Sequence, residues 1–358
     1  MHNVEAFSEL KSLQGPVLVT GHTGFKGAWF MELLGALGIN AVGLSLPAQK
    51  GSLRDRLGSE RKYSEYFANV NDAASIQETI NSIKPAFIFH LAAQAIVTES
   101  FHHPYETYVT NVLGTLNVIE ATKESGGCRG IQVVTTDKVY SNDNSGKPFS
   151  ELDSLFGCDP YSGSKVATEA VVSGLQKSYE EKYGILIQSV RAGNVIGGGD
   201  FAKDRLIPDL VRSYTMDSEL KVRNPESTRP WQHVLDPLIG YLFAAENMLI
   251  NKDSSAFNFG PIEKSLSVAE VISIARSTWP RLKVISGFNQ QSGIHEAHTL
   301  RVSPTKAEEV LGWQPFFTQQ EAVNLTLNWW DKVLKNELTA FEAMQNDIQI
   351  VLGRIIHD

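Results

Sequence analysis

Cysteine is nearly absent: Cys128 and Cys158 are the only two in 358 residues. Two are too few for a disulfide framework or a structural zinc site, which suits a reducing compartment. The nine histidines show no metal-ligand spacing with them. His295 and His298 stand close together but suit packing or substrate contact better than a metal, and no metal is expected. No apolar run is long enough to span a bilayer, so no membrane partner is expected. Met1 to Gln14 mixes His2, Glu5, Glu9 and Lys11 with isolated apolar residues, which is not the pattern of a secretory leader, and a cytoplasmic location is expected. Positive charge is also in deficit. A formal net charge of −8 argues against a general nucleic-acid binder and requires any anionic ligand to meet a local basic cluster. Tandem repeats and low-complexity stretches are missing too. What remains is an ordinary globular composition, 42% hydrophobic and 20% charged, in a chain long enough for a large core and more than one domain.

Strand and helix patterns alternate through the first half. Pro16–Thr20 is a β-branched run closed by Gly21, and Phe25–Leu37 reads as an amphipathic helix. A strand over Asn40–Leu46, a helix over Ala73–Ile83 stopped by Lys84-Pro85, and a buried-type strand over Ala86–Leu91 follow. A helix over Tyr105–Lys123, strand Ile131–Thr135, helix Ser162–Tyr183 and strand Ile185–Arg191 complete the series. This alternation, with short Gly- or Pro-marked connections, predicts an α/β fold with a doubly wound parallel sheet. Beyond it the texture changes. Gly197-Gly198-Gly199-Asp200 is loop-like, and Pro208, Pro225, Pro230 and Pro237 punctuate a smaller substrate-binding part, interleaved with the sheet because no linker separates them.

Five stretches carry chemistry. Gly21-His22-Thr23-Gly24-Phe25-Lys26-Gly27 lies between a strand and a helix, where missing side chains let backbone N–H groups approach a pyrophosphate. Its first glycine interval is three rather than two, so the usual dinucleotide fingerprint is not met. The end of the second strand also lacks the acidic residue that holds adenosine ribose hydroxyls; it offers Ser45, with Arg54 and Arg56 beyond, which leaves NADP open from this segment. Ala92-Ala93-Gln94 is small enough for a cofactor to lie on the backbone. Thr136-Asp137-Lys138 closes a strand on the side where α/β sheets bind ligands, and a carboxyl beside an amine can serve as general acid and general base. Alone, the pair equally fits the cap of a surface turn. Tyr161 and Lys165 stand one helical turn apart, so both face one way. A phenol ionises near pH ~10, and accepting a proton near neutrality needs a neighbouring cation such as Lys165. Downstream, Asn194, Arg205, Arg223-Asn224 and Arg229-Pro230-Trp231-Gln232 add planar cations suited to a diphosphate and an aromatic ring.

Together, Gly21/Gly24/Gly27, Thr136-Asp137-Lys138, Tyr161-x-x-x-Lys165 and Arg191-Ala192-Gly193-Asn194 resemble the extended short-chain dehydrogenase/reductase family of nucleotide-sugar enzymes. The likeness runs from about Val17 to about Pro315, through GHTGFKG, AAQ, TNVLGT, TTDK, DPYSGSK, RAGNVIGGGD, RPWQHV and LGWQP. It implies a Rossmann-like domain over 1–193 that binds NAD, with about 231–257 returning to it, and a mainly substrate-binding domain over 194–358. It also implies that Gly21, Thr23, Gly24, Phe25, Lys26, Gly27, Asn69, Val70, Leu91, Ala92, Ala93, Gln94 and Thr110 hold the cofactor with Tyr161 and Lys165. Gln94, Asn194, Arg205, Arg223, Asn224, Arg229, Trp231, Gln232 and His298 are implied to hold the substrate. Within the family, dTDP-glucose 4,6-dehydratases carry Asp-Glu where this chain has Asp137-Lys138, and epimerases generally lack such a pair. The Asp-Lys form implies 4,6-dehydration of CDP-glucose in deoxysugar supply, as for lipopolysaccharide O-antigen. In that scheme Tyr161, with Lys165 and Thr136, takes the C4 hydroxyl proton as hydride moves from C4 to NAD. Lys138 then removes the C5 proton, Asp137 protonates the departing C6 hydroxyl, and the hydride returns to C6. A dehydratase, epimerase or reductase acting on another nucleotide sugar is the alternative. The chain departs from the pattern at Gln94-Ala95-Ile96-Val97-Thr98, which lacks an arginine near the sugar site, and at Asn69, where relatives have Asp. A homodimer or homotetramer is expected, because the helices at Tyr105–Lys123 and Ser162–Tyr183 carry Val109, Leu113, Leu116, Val166, Val171 and Leu175.

Overall fold

The computed structural model describes residues 7–58, 60, 63–142, 145–222, 224–286 and 300–357. Arg223, His295 and His298 lie outside the described residues. Seven parallel strands form the central sheet: β1 (Val17–Thr20), β2 (Ala41–Ser45), β3 (Ser64–Phe67), β4 (Phe87–His90), β5 (Gly130–Val134), β6 (Leu186–Ala192) and β7 (Phe257–Phe259), in the order β7-β6-β5-β4-β1-β2-β3. The order reverses between β1 and β4, which opens a crevice at their carboxyl ends. Strand periodicity divides the core. Leu18, Ile88, Ile131, Val133 and Ile187 face one layer of helices, while Val17, Val19, Phe87, Phe89 and Val190 face the other.

Helix α1 (Phe25–Ala36) follows β1 and α2 (Ala73–Ile83) precedes β4; α3 (Gly114–Ser125) precedes β5 and α4 (Pro160–Tyr183) precedes β6. Two expectations need correction here. The helix read as amphipathic from Phe25 is buried without interruption from Gly27 to Leu34, because a C-terminal helix over Ala340–His357 covers its outer side, with Gln345 donating to Glu32 at 3.3 Å. The single helix read over Tyr105–Lys123 is broken into Pro104–Tyr108, a wide π turn over Val109–Leu113, and α3. At the π turn the Asn111 carbonyl accepts from the hydroxyls of Thr115 (2.7 Å) and Thr168 (2.8 Å), which draws the backbone off the α-helical path.

Residues after β6 build the second part from short pairs. Val195–Ile196 lies parallel to Gln232–His233, Thr228–Arg229 antiparallel to Leu266–Ser267, and Glu219–Val222 parallel to Lys283–Ser286. The chain returns to the sheet through α5 (Leu235–Asn251) and β7, which pairs with β6. Buried Gln132 and Gln188 join β5 and β6 under α5: the Gln132 amide donates to the Gln188 oxygen (2.9 Å) and to the Tyr241 carbonyl (3.1 Å).

Candidate active site

The Gly-rich turn after β1 is shaped by close backbone approach. Gly21 has φ 74°, and a Cβ there would sit 2.7 Å from the Ala92 nitrogen; a Cβ on Gly27 would fall 2.2 Å from the Gly21 carbonyl oxygen. Only glycine fits either place. Gly24 caps α1 without a side-chain hydrogen bond, and the first turn holds no acidic residue. The first N–H groups of α1 therefore suit an anion. Thr23 binds the Ser45 hydroxyl (2.8 Å) and the Leu46 carbonyl (3.0 Å), tying the turn to the end of β2.

Across the crevice, Thr136, Asp137 and Lys138 leave β5 in a single turn of 3₁₀ helix. The Thr136 hydroxyl donates to Asp137 at 3.1 Å and also hydrogen-bonds Tyr161. Helix α4 starts at Pro160, two residues earlier than read from sequence, behind a reciprocal cap. Asp159 accepts from the Ser162 N–H (2.9 Å) and the Ser162 hydroxyl accepts from the Asp159 N–H (3.1 Å). That cap fixes Tyr161 in the first turn and Lys165 in the next, both buried. The Lys165 ammonium donates to the Val134 carbonyl at 3.1 Å. Burial lowers its pKa to about 8, against the raising effect of Glu169. Burial pushes the Tyr161 phenol up to about 12, with the Thr136 hydrogen bond acting the other way. Asp137 is buried as well, and desolvation raises its pKa against the charges of Lys138, Lys26 and Arg229. A carboxyl biased toward its protonated form is a proton donor in waiting. Gly193 gives it room: a Cβ there would lie 2.9 Å from Asp137 Oδ2.

Lys26 joins this cluster. It donates to the buried Tyr241 hydroxyl at 3.1 Å, and burial, then Lys165 and Arg205, lower its pKa to about 7. Arg205 bonds Asp200 at 3.2 Å and reaches the fields of both Tyr161 and Lys26. Arg229 acts on Asp137 from the second part.

Other residues from the sequence reading hydrogen-bond within the protein. The Gln94 amide donates to the Ile96 carbonyl (3.1 Å) and the Thr107 hydroxyl (3.0 Å), so it braces its own loop. Trp231 is buried with its indole N–H on the Leu266 carbonyl at 3.1 Å, and buried Gln232 donates to the Phe259 carbonyl at 3.2 Å. Both belong to the packing between the two parts, which a local reading of Arg-Pro-Trp-Gln does not disclose. Asn194 accepts from the Gln232 N–H at 3.4 Å through its carbonyl. The Asn71 amide donates to Thr110 (3.1 Å), and exposed Asn69 accepts from the Asn71 N–H (3.0 Å). Neither arginine past β2 faces the cofactor turn as a free cation: Arg54 pairs with Glu65 at 2.8 Å, and Arg56 packs over the Phe201 ring 4.4 Å from its centroid. Three positions were missed. Asn111 clamps the Gln94 backbone, accepting from its N–H (2.8 Å) and donating to its carbonyl (3.0 Å); the TNVLGT string was its signal. Tyr241 had none. Glu169 stood one turn beyond Lys165.

A family model described as GDP-mannose 4,6 dehydratase matches residues 18–326. The chain belongs to this family. It lies within the extended short-chain dehydrogenases/reductases. It is 37% identical over 332 residues to the CDP-glucose 4,6-dehydratase of Salmonella typhimurium, covering 90% of this chain and 92% of that protein. It is 24% identical to a dTDP-glucose 4,6-dehydratase of Xanthomonas campestris, over 87% and 92% of the two chains. Among solved structures, the dTDP-glucose 4,6-dehydratase of Streptomyces venezuelae, solved with NAD bound, superposes with a TM-score of 0.73 at 20% identity, over 90% and 98% of the chains. The family member described here has a cradle that fits the cofactor: glycines at every close approach, an uncapped helix start, and Lys165 and Tyr161 at the crevice between β1 and β4.

Proposed function

We propose that the protein converts CDP-glucose to the 4-keto-6-deoxy sugar with loss of water. The observation that carries this reading is the buried Asp137, biased toward its protonated form and linked through the Thr136 hydroxyl to the phenol of Tyr161, with Lys138 adjoining it. An epimerase or a simple reductase has no use for such a proton donor beside its tyrosine.

In the proposed reaction Gly21, Thr23, Gly24, Phe25, Lys26 and Gly27 hold the pyrophosphate end of NAD, and Ala92, Ala93 and Lys165 its nicotinamide end. NAD, when bound, supplies the acceptor for hydride from C4 and the donor back to C6. Tyr161 takes the C4 hydroxyl proton, aided by the Lys165 charge and the Thr136 hydroxyl. Oxidation at C4 acidifies C5, and Lys138 removes that proton and returns one to C5 as the hydride reaches C6. Asp137 gives its proton to the departing C6 hydroxyl, which leaves as water. Arg205 and Arg229 hold the diphosphate, and Asn194 and Asn224 lie in the same substrate region. The protein works in the cytoplasm as at least a homodimer through the helix pair that ends in α3 and α4. Tyr105, Tyr108 and Leu113 are exposed on that pair in the single chain. A monomeric mass by light scattering at micromolar concentration would remove the dimer from this reading.

Incubation with CDP-, dTDP-, UDP- and GDP-linked hexoses, followed by mass spectrometry of the products, tests the function. Loss of one water from CDP-glucose, faster than from the others, is the expected result. A product of unchanged mass and inverted C4 configuration would replace the dehydratase reading with an epimerase.

A further inference from the structure

Glu169 lies one helical turn beyond Lys165 on α4, buried to 5% exposure, with both carboxylate oxygens occupied. It accepts from Arg191 Nε (2.9 Å) and Nη2 (2.8 Å), from the Ser189 hydroxyl (2.7 Å) and from the Thr135 hydroxyl. Arg191 is fixed in turn, its Nη1 donating to the Tyr140 hydroxyl at 2.8 Å, which donates to Asn258 at 2.8 Å. Five side chains thus hold one carboxylate in place, directly or through Arg191. Thr135 immediately precedes the Thr136-Asp137-Lys138 turn, so the network also anchors the strand end.

A forked Arg–Glu pair with every acceptor site filled stays ionised, and the low local dielectric lets its near charge act on its neighbours. Among the described residues, the other titratable or charged groups around Lys165 do not supply a negative charge of this kind. Lys26, from the Gly-rich turn, is a cation. His90, from β4, is kept neutral by burial, its pKa lowered to about 3. Tyr161, on the same helix, is a phenol held protonated by burial, and Asp137, from the β5 turn, is biased toward its neutral form. Arg205 is a further cation beyond Lys26. Of the Arg191–Glu169 pair, Glu169 is the partner that raises the Lys165 pKa.

We propose that Glu169 is a positioning residue: held by Arg191, it is the fixed negative charge that keeps Lys165 cationic, so that Tyr161 can stand as the phenolate that takes the C4 hydroxyl proton. The inference rests on the role given to Lys165 above. It extends the machinery one turn deeper into α4, to a residue that touches no substrate.

The test is a titration of Lys165 in protein carrying carbon-13-labelled lysine, its resonance assigned by its loss in Lys165→Arg. In Glu169→Gln the midpoint falls by on the order of one pH unit. The high-pH limb of single-turnover NAD reduction moves down with it. Glu169→Asp, which keeps the charge but draws it back, gives a smaller shift in the same direction and carries the test should the Gln variant fail to fold. A variant that folds but leaves the midpoint in place, even with activity reduced at every pH, overturns the proposal and makes the network purely structural. Failure of the underlying reading looks different: the high-pH limb then persists in Lys165→Arg itself.

Discussion

The ends of β1 and β5 and the segment over 194–286 frame the same crevice but are built in opposite ways. At the strand ends, the turns and caps that carry the proposed reactive groups are set by residues close to them in sequence. Gly21 and Gly27 shape one turn, Thr136 caps the turn that carries Asp137 and Lys138, and the Asp159–Ser162 cap sets Tyr161 and Lys165. In the second part, side chains are placed by distant partners: Trp231 by Leu266 and by Gln319, which accepts from its N–H at 3.1 Å, and the 197–199 loop by the Trp329 ring. Chemistry placed locally survives changes elsewhere in the chain, whereas specificity placed at long range is free to vary as packing varies. That contrast matches a family whose members are named for different sugar nucleotides.

The contrast breaks most sharply at Lys138. If the β5 turn acts as a local unit with separable roles, Lys138→Met should still reduce bound NAD when given substrate, because the C5 proton is not involved in that step. Product release should fall about 10²–10⁴-fold, the usual contribution of a positioned base. Reduced-nicotinamide absorbance and product mass, followed together, separate the two steps. Wild-type enzyme in deuterated water should place deuterium at C5. Near-normal product and C5 exchange in Lys138→Met would remove this residue from the mechanism.

Arg229 sharpens the other side. It comes from the second part and acts on Asp137, so it bridges the two kinds of construction. Arg229→Ala should weaken nucleotide-sugar binding by about 1.5–3 kcal/mol through loss of a charge-assisted hydrogen bond, while NAD affinity stays level. Calorimetry with each ligand measures both, and equal loss for the two would mean that the substitution disturbs the fold instead. Next in size is Gly198→Ala. Its new Cβ would sit 1.9 Å from the Trp329 ring, a rigid neighbour buried in the core. Overpacking there should cost about 1–3 kcal/mol in chemical denaturation with little change in NAD binding.

This division also explains what could be read before the structure. The sheet was legible because β1, β4, β5 and β6 are β-branched or aromatic runs ended by Gly, Pro or polar turns, and the observed bounds fall within a residue or two of those expected. Strand β3, Ser-Glu-Tyr-Phe, was not, since its side chains are half-exposed and lack an apolar signature. The strings proposed as catalytic stood out because turn geometry forces their spacing. Gln94, Trp231 and Gln232 read as ligand contacts because their polar or flat groups suit that work; their hydrogen bonds to Thr107, Leu266 and Phe259 come from residues remote in sequence, which a local reading does not disclose. Glu169 escaped notice for the converse reason. An acid on a long helix reads as solvent-facing, and only the fold brings Arg191 to it.

The smallest effect tests the C-terminal helix, whose anchoring also depends on distant partners. Asp347 on that helix faces buried His233 across 3.8 Å. Burial lowers the imidazole to about 3 and raises the carboxyl to about 7, with the Lys332 charge opposing the second shift, so at neutral pH the imidazole cannot supply a cation for the carboxylate. A carboxyl whose pKa is raised on folding favours the folded state fully below its unfolded value near ~4. That contribution is lost as pH rises through the folded value, because the unfolded chain sheds the proton first. Asp347→Asn should therefore match the wild type at low pH. Its relative stability should grow through the window between ~4 and 7 and level off above it, with a gain on the order of 1 kcal/mol once relaxation around the site is allowed for. Urea denaturation of both proteins at several pH values reads the difference directly. A difference that stays constant with pH would show that Asp347 is ionised in the folded protein, and that the C-terminal helix is held by its apolar face, Ala343, Met344, Ile348 and Val351, with no share from this pair.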